Sequence, residues 1–429
     1  MRRNAAIEMM LIGVHKSWRG RMADGVGVKS GSAELELEST SWRAWVAVWA
    51  VGFSVFVVTT TEMAPVGLLP EIARDLDVSS GTAGIAVTAF GLIAGLLAPV
   101  STVVSGRFDR RALLIAILAV FTAGNLLSAM SSNYGLFIFS RLATGVIHGL
   151  MWSIVAAIAI RLVRPRDGVR ATAIAFSGIS VALVLGVPLG SLIGSYSGWR
   201  AAFGALAILS LLCSLVVFAF VPRLPMVEAV AWSDFRRLVR ARPLLAALIV
   251  TCVVVVGNYA AYTYVAPFML DERHILPSMV GPYLLAYGIA GVAGNFMSGF
   301  ALDRLGSPAK VLGVFGFVVV CALVLLPLLD SRNAVIVLLM VWGETYSGLP
   351  VALQTLVLRS GGDSGQAATS AYVLVFNCSI ALGALLGGFA IDTSGATAPI
   401  WVGAMFCLLG VLVSLVITRV SPVGDTQNS

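Results

Sequence analysis

The sequence predicts an all-α membrane protein with twelve transmembrane helices, arranged as two pseudo-symmetric six-helix bundles. Three observations carry that expectation. Of 429 residues, 59% are hydrophobic and only 11% charged, at a mean hydropathy of +0.95. Soluble globular domains carry about 25% charged residues, so most of this chain needs lipid as its solvent. The apolar residues come in blocks long enough for a helix to cross a hydrocarbon core of about 30 Å. The two halves of the chain also share short strings at a fixed offset.

In chain order the blocks are Ala44–Leu69, Thr82–Ser105, Leu113–Met130, Leu136–Ile160, Ala171–Gly194 and Ala201–Val221, then Leu244–Leu270, Met279–Leu302, Val311–Leu329, Ala334–Leu358, Ala367–Ile391 and Ile400–Ile417. None shows the ten-residue alternation of a membrane β-barrel strand. With the N-terminus inside, 23 of the 28 Lys and Arg residues fall in inner loops and tails, and only Arg74, Arg200, Arg273 and Arg332 fall outside. Short loops rich in positive charge stay cytoplasmic, so both termini are expected there. The net charge of +7 then faces anionic lipid, not nucleic acid.

Five cysteines (Cys213, Cys252, Cys321, Cys378, Cys407) all lie in apolar blocks and read as small hydrophobes, with no spacing that suggests a metal site. Residues 1–41 are polar and contain Gly and Ser, and their apolar stretch Met9–Val14 is too short for a signal-peptide core; they are expected to be a disordered cytoplasmic tail, or to follow from an overcalled upstream start codon. Residues 420–429 form a second cytoplasmic tail. The polar stretch 222–243 is expected to connect a bundle over 42–221 to one over 244–419. Within it, Ser233 can cap a short helix with Phe235, Leu238 and Val239 on one face, suited to the inner membrane surface.

An offset of 197 superimposes Ala171–Thr172 on Ala368–Thr369, Leu189–Gly190 on Leu386–Gly387, and Ser197–Gly198 on Ser394–Gly395. Offsets of 193 and 194 place Gly106 over Gly299, and Asp109 and Arg110 over Asp303 and Arg304. Parallel repeats around a midplane site suit alternating access, in which one half rocks against the other. Glycines four apart, such as Gly91 and Gly95 or Gly186, Gly190 and Gly194, allow close helix approach. Pro188 is expected to kink the fifth span.

Ionisable residues inside a span are costly and mark function by default. Glu62 lies in the outer part of span one and Arg141 in the outer part of span four. His148 and Glu344 fall near the middles of spans four and ten. Glu62, Arg141 and Glu344 are the proton-coupling candidates. Glu62 could instead hydrogen-bond a neighbouring backbone, and Arg141 could either hold Glu62 charged or pair with backbone carbonyls. His148 and Trp152, four apart, project together, as do Asn258, Tyr259 and Tyr262. Tyr264, Asn295, Gln354 and Asn377 are further polar residues within spans. No HExxH, GxSxG or phosphate-binding loop occurs, so neither an enzyme nor an ATP-driven pump is expected, and no cofactor or metal.

These residues resemble the major facilitator superfamily, over nearly the whole chain from about residue 42. Gly299, Asp303, Arg304 and Gly306 are similar to its G-x3-D-R-x-G loop, whereas the first-half copy is one residue shorter and lacks the closing glycine. Arg141 with Gly145, and Gly186-Val-Pro188-Leu-Gly190, resemble motifs of its proton-linked antiporters. TTTEMAPVGLLPEIARDL (59–76), HGLMWSIVAAIAIRL (148–162) and NYAAYTYVAPF (258–268) look most like bacterial sugar-efflux transporters of the drug:proton antiporter group. The resemblance implies a monomer in a bacterial inner membrane, exporting an arabinose-type sugar or thiogalactoside against protons. His148, Trp152, Asn258, Tyr259 and Tyr262 would contact the substrate. A multidrug or purine-nucleoside exporter is the alternative within the superfamily; an intramembrane enzyme or a channel is the alternative outside it.

Overall fold

A computed structural model of the chain describes residues 40–105, 108–225, 241–361 and 365–420. The expected tail over residues 1–39, the connector helix around Ser233, Gly106 and residues 421–429 lie outside the described residues. Among the described residues there is no strand, and twelve helices are long and apolar enough to cross a membrane.

Span one is Trp42–Asp75, span two Ser80–Ser105, span three Arg110–Ala129 and span four Tyr134–Leu162. Span five is made of Gly168–Val181, a π-helical turn Ala182–Gly186 and Val187–Ser197. Span six is Trp199–Phe220 and span seven Arg242–Tyr262. Pro277–Leu305, Pro308–Leu325, Arg332–Gly361, Gly365–Ser394 and Ala398–Val420 are spans eight to twelve. Large apolar side chains such as Leu212, Phe296 and Phe389 are exposed all around the bundle. In a chain otherwise so well packed, that outer surface is the part that meets lipid.

Two prolines reshape spans that read as continuous. Pro188 has no N–H for the carbonyl four residues back; just before it the chain widens into the π-turn, where the Val187 N–H bonds the Ala182 carbonyl. The seventh block, expected to run unbroken to Leu270, is interrupted at Thr263 and Tyr264. Pro267 cannot donate to the Thr263 carbonyl, and a three-residue helix Val265–Pro267 and a π-turn Phe268–Glu272 follow.

The halves meet along two seams, span two against span eleven and span five against span eight. Small residues set both. A Cβ on Gly91 would meet the Asn377 carbonyl at 3.0 Å, and one on Gly95 the Cys378 sulfur at 2.7 Å. On the other seam, a Cβ on Gly288 would come within 2.7 Å of the Leu183 carbonyl in the π-turn. Gly186 and Gly194 instead pack on Thr60 and Leu68 of span one, while Gly190 has open space around it.

At the predicted outer end the first seam is closed by Asp392, in the last turn of span eleven beside the start of span two. It accepts from Ser79 Oγ at 2.7 Å and from the Gly81 N–H at 2.9 Å. A carboxylate at a helix N-terminus meets free N–H groups and the positive end of the dipole. Tyr264, at the break in span seven, donates its hydroxyl to the Ala384 carbonyl at 2.7 Å.

The repeat is visible in backbone shape at one pair and lost at another. Gly198 and Gly395, the residues that end spans five and eleven, have φ of +80° and +85°. The two Asp-Arg pairs differ. Asp109 caps span three through the Ala112 N–H at 3.0 Å and also accepts from the Leu224 N–H at 2.7 Å. Asp303 and Arg304 lie in the last turn of span eight, which Gly306 ends at φ +66° while its carbonyl accepts from Arg359. Left-handed backbone is why glycine closes the second copy.

Replacing Gly198 by Ala should destabilise the protein by about 1–3 kcal/mol, since its φ and ψ are sterically open almost only to glycine. Gly190→Ala should be neutral or stabilising. Thermal unfolding of detergent-solubilised protein distinguishes the two; equal melting temperatures would refute the assignment.

Candidate functional site

The site begins with a proline in span one. Pro65 leaves the Thr61 carbonyl without its helical partner, and an unsatisfied carbonyl in lipid costs several kcal/mol. Arg141 of span four supplies the donor: its Nη1 reaches Thr61 O at 2.9 Å and its Nη2 reaches Glu62 O at 3.0 Å. The guanidinium is buried and lies over the Phe90 ring, 4.7 Å from its centroid. Asn125 adds a bond to Thr61 Oγ1 at 3.0 Å. Of the two roles open for Arg141, the structure shows the backbone one, and no ion pair joins it to the Glu62 carboxylate among the described residues.

That carboxylate points elsewhere. Glu62 Oε2 lies 3.7 Å from His148 Nε2, seven residues beyond Arg141 and on the same face of span four. His148 Nε2 accepts the indole N–H of Trp152 at 2.8 Å, and the His148 ring meets Phe90 edge to face at 5.0 Å. Trp152 stacks in turn on Phe176 of span five, at 6.4 Å and 19°. His148 Nδ1 is buried without a partner.

Glu62, His148 and Trp152 form one wall of a cavity of about 400 Å³ between the halves. The facing wall is aromatic: Tyr259 and Tyr262 from span seven, Tyr287 from span eight, Tyr346 from span ten and Tyr372 from span eleven. Tyr262 and Tyr287 stack at 4.9 Å and 28°. Asn258 also lines the cavity, and its Oδ1 accepts from the Trp342 indole at 2.9 Å. Lining atoms Thr59 Oγ1, Tyr346 OH and Asn377 Oδ1 are buried without a protein partner. Glu62 is the one carboxylate on the described lining, which holds no Lys or Arg.

The cavity reaches from mid-membrane towards one end only. Trp152, Gln354 and Thr369 line it, and each lies nearer the predicted inner end of its span than His148, Tyr346 or Ile380 does. Towards the other end, Met63, Val66 and Val87 of the first half pack with Val265 and Phe268 of the second.

All five residues expected to contact substrate thus face one cavity, with Glu62 beside them. Glu344 does not join them: its carbonyl packs against Gly294 of span eight, and it is not part of the cavity lining. Tyr264 serves the outer closure instead. Asn295, Gln354 and Asn377 do line the cavity. Residues that sequence reading passed over are Thr59, Phe176, Tyr287, Tyr346 and Tyr372. The helical spacing of Tyr346, Pro350 and Gln354, and of Thr369, Tyr372, Phe376 and Ile380, carried a signal for one shared face.

Arg141→Met removes both donors and leaves the Thr61 carbonyl orphaned in a dry site, which should cost about 1–3 kcal/mol. Arg200→Met, in the first turn of span six with a partly exposed side chain, should cost less. Unfolding midpoints in detergent compare them, and an unshifted Arg141→Met would count against the anchor.

Solved structures share this architecture. A bacterial homolog of the human lysosomal transporter Spinster, in an inward-facing and unoccupied conformation, superimposes with a TM-score of 0.69 at 13% identity, over 89% of this chain and 98% of that one. The human organic anion transporter MFSD10 (TETRAN) gives 0.63 at 20% identity, over 87% and 99%. In sequence, residues 51–372 match the Major Facilitator Superfamily. With twelve spans, two halves and a cavity between them, this chain belongs to the Major Facilitator Superfamily and is a membrane transporter of that general kind.

Proposed function

We propose that the protein exports a small uncharged polar solute, a sugar or sugar derivative, in exchange for protons across a bacterial inner membrane. The observation that carries this reading is the chemistry of the cavity wall. Hydroxyl, amide and aromatic side chains supply hydrogen bonds and flat apolar faces, the combination that a sugar ring needs. Without Lys or Arg on the described lining, an anionic substrate would lack a countercharge. Glu62 is the group placed to carry the proton: buried beside the substrate space, it can be ionised or neutral as its surroundings change. A second reading has its own support, because the Tyr262–Tyr287 and Trp152–Phe176 stacks also suit a planar purine nucleoside or a flat cationic drug. In this reading the protein acts as a monomer with both termini in the cytoplasm.

A counterflow panel in proteoliposomes tests the substrate, with arabinose, a thiogalactoside, a purine nucleoside and a cationic dye side by side. Exchange of a sugar is expected; exchange confined to the nucleoside or the dye would transfer the assignment. Glu62→Gln should abolish uncoupler-sensitive export yet preserve counterflow, because the amide imitates the protonated acid. Full pH-dependent export by Glu62→Gln would instead make Glu62 structural. A periplasm-active reporter fused after Ser429 should stay silent, and strong activity would invert the topology.

A further inference from the structure

His148 Nε2 has a single lone pair, and two neighbours compete for it. Trp152 holds it now, through its indole N–H at 2.8 Å. Glu62 Oε2 stands at 3.7 Å, outside hydrogen-bond range, as expected for two acceptors with no proton between them. A hydrogen bond between Glu62 and His148 would need that proton. Were it on Oε2, the acid would donate to the Nε2 lone pair; were it on Nε2, no lone pair would remain. In either case the Trp152 N–H loses its acceptor.

We propose that Trp152 is the positioning residue that makes proton binding and substrate binding compete, because its N–H and a proton shared by Glu62 and His148 cannot occupy His148 Nε2 together. With the pair unprotonated, the indole is parked on His148 and stacked on Phe176, at the margin of the cavity. Protonation evicts the N–H. Trp152 lines the cavity, so the displaced indole turns towards the space that substrate occupies. One proton joins the pair from water on one side and returns to water on the other; apart from hydrogen bonds, no other bond is made or broken. The inference rests on the proton-coupled reading above.

The surroundings leave few other charges to intervene. Span one contributes Glu62, and span two presents the Phe90 ring. Span four contributes Arg141, which is hydrogen-bonded to two carbonyls and keeps its positive charge close enough to act on both Glu62 and His148. Span seven contributes the Tyr259 phenol on the cavity wall, and spans eight, ten and eleven the phenols of Tyr287, Tyr346 and Tyr372.

Trp152→Phe leaves a smaller aromatic ring to pack against Phe176 and removes the competing N–H. In wild type, the affinity for the solute that exchanges in the counterflow panel should weaken about tenfold as pH falls through the titration, the size of effect that one hydrogen bond supports. In Trp152→Phe the same span of pH should change affinity by less than about twofold, since no donor is evicted. Calorimetric binding to the purified variant gives this readout even if its transport is slow. A uniform loss of affinity, with the pH dependence unchanged, would show that Trp152 only packs and would overturn the proposal while leaving proton coupling intact. A wild type whose affinity and export both ignore pH would defeat the proton-coupled reading itself. Adding Glu62→Gln to wild type should flatten the dependence in the same way, and persistence of the full dependence there would also overturn the proposal.

Discussion

The Thr61 carbonyl, deprived of its helical donor by Pro65 and bonded instead by Arg141, is the contact on which the rest of the site depends. A membrane interior offers no water to a broken backbone bond, so the bundle itself must supply the donor. An arginine can do so from a neighbouring helix and satisfy two carbonyls at once, with its fork flat against an aromatic ring. This fixes span four against span one in depth and rotation. His148 then arrives two turns later beside Glu62. Because the guanidinium is spent on backbone, the Glu62 carboxylate stays free to face the cavity.

Proline plays the same part elsewhere in the bundle. At Pro188 the helix relaxes into a wider turn, and the glycines of span eight pack on its exposed carbonyls. At Pro267 span seven breaks, and the break brings Tyr264 to the outer closure between the halves. Both prolines thus remove a helical backbone bond at a place where the two halves pack together. Asp392 completes the closure with hydrogen bonds to the start of span two.

The cavity joins hydrogen-bonding side chains to aromatic faces around a single carboxylate. Its described first-half wall carries Glu62 and His148, and its second-half wall carries all five lining phenols. Trp152 joins the first-half wall through His148 and Phe176 and also lines the cavity that the second-half phenols face.

The membrane class, the twelve spans and the twofold repeat were legible in the sequence, because lipid imposes length and apolarity on each span locally. Ser197–Gly198 and Ser394–Gly395 are the clearest case: the dipeptide recurs because the same left-handed backbone does. Glu62, His148, Trp152, Asn258, Tyr259 and Tyr262 were legible too, since polar groups are conspicuous in apolar helices. Partnership was not. The sequence left open whether Arg141 holds a carboxylate or a backbone, as this depends on the side chain opposite Pro65 across a helix interface. It could not separate Glu344 from the cavity, because depth within a span says nothing of rotation about its axis. Nor could it align the two Asp-Arg pairs with different structures, one capping a helix and one ending it. Those choices belong to tertiary packing, where the rotation of each helix decides which side chains meet.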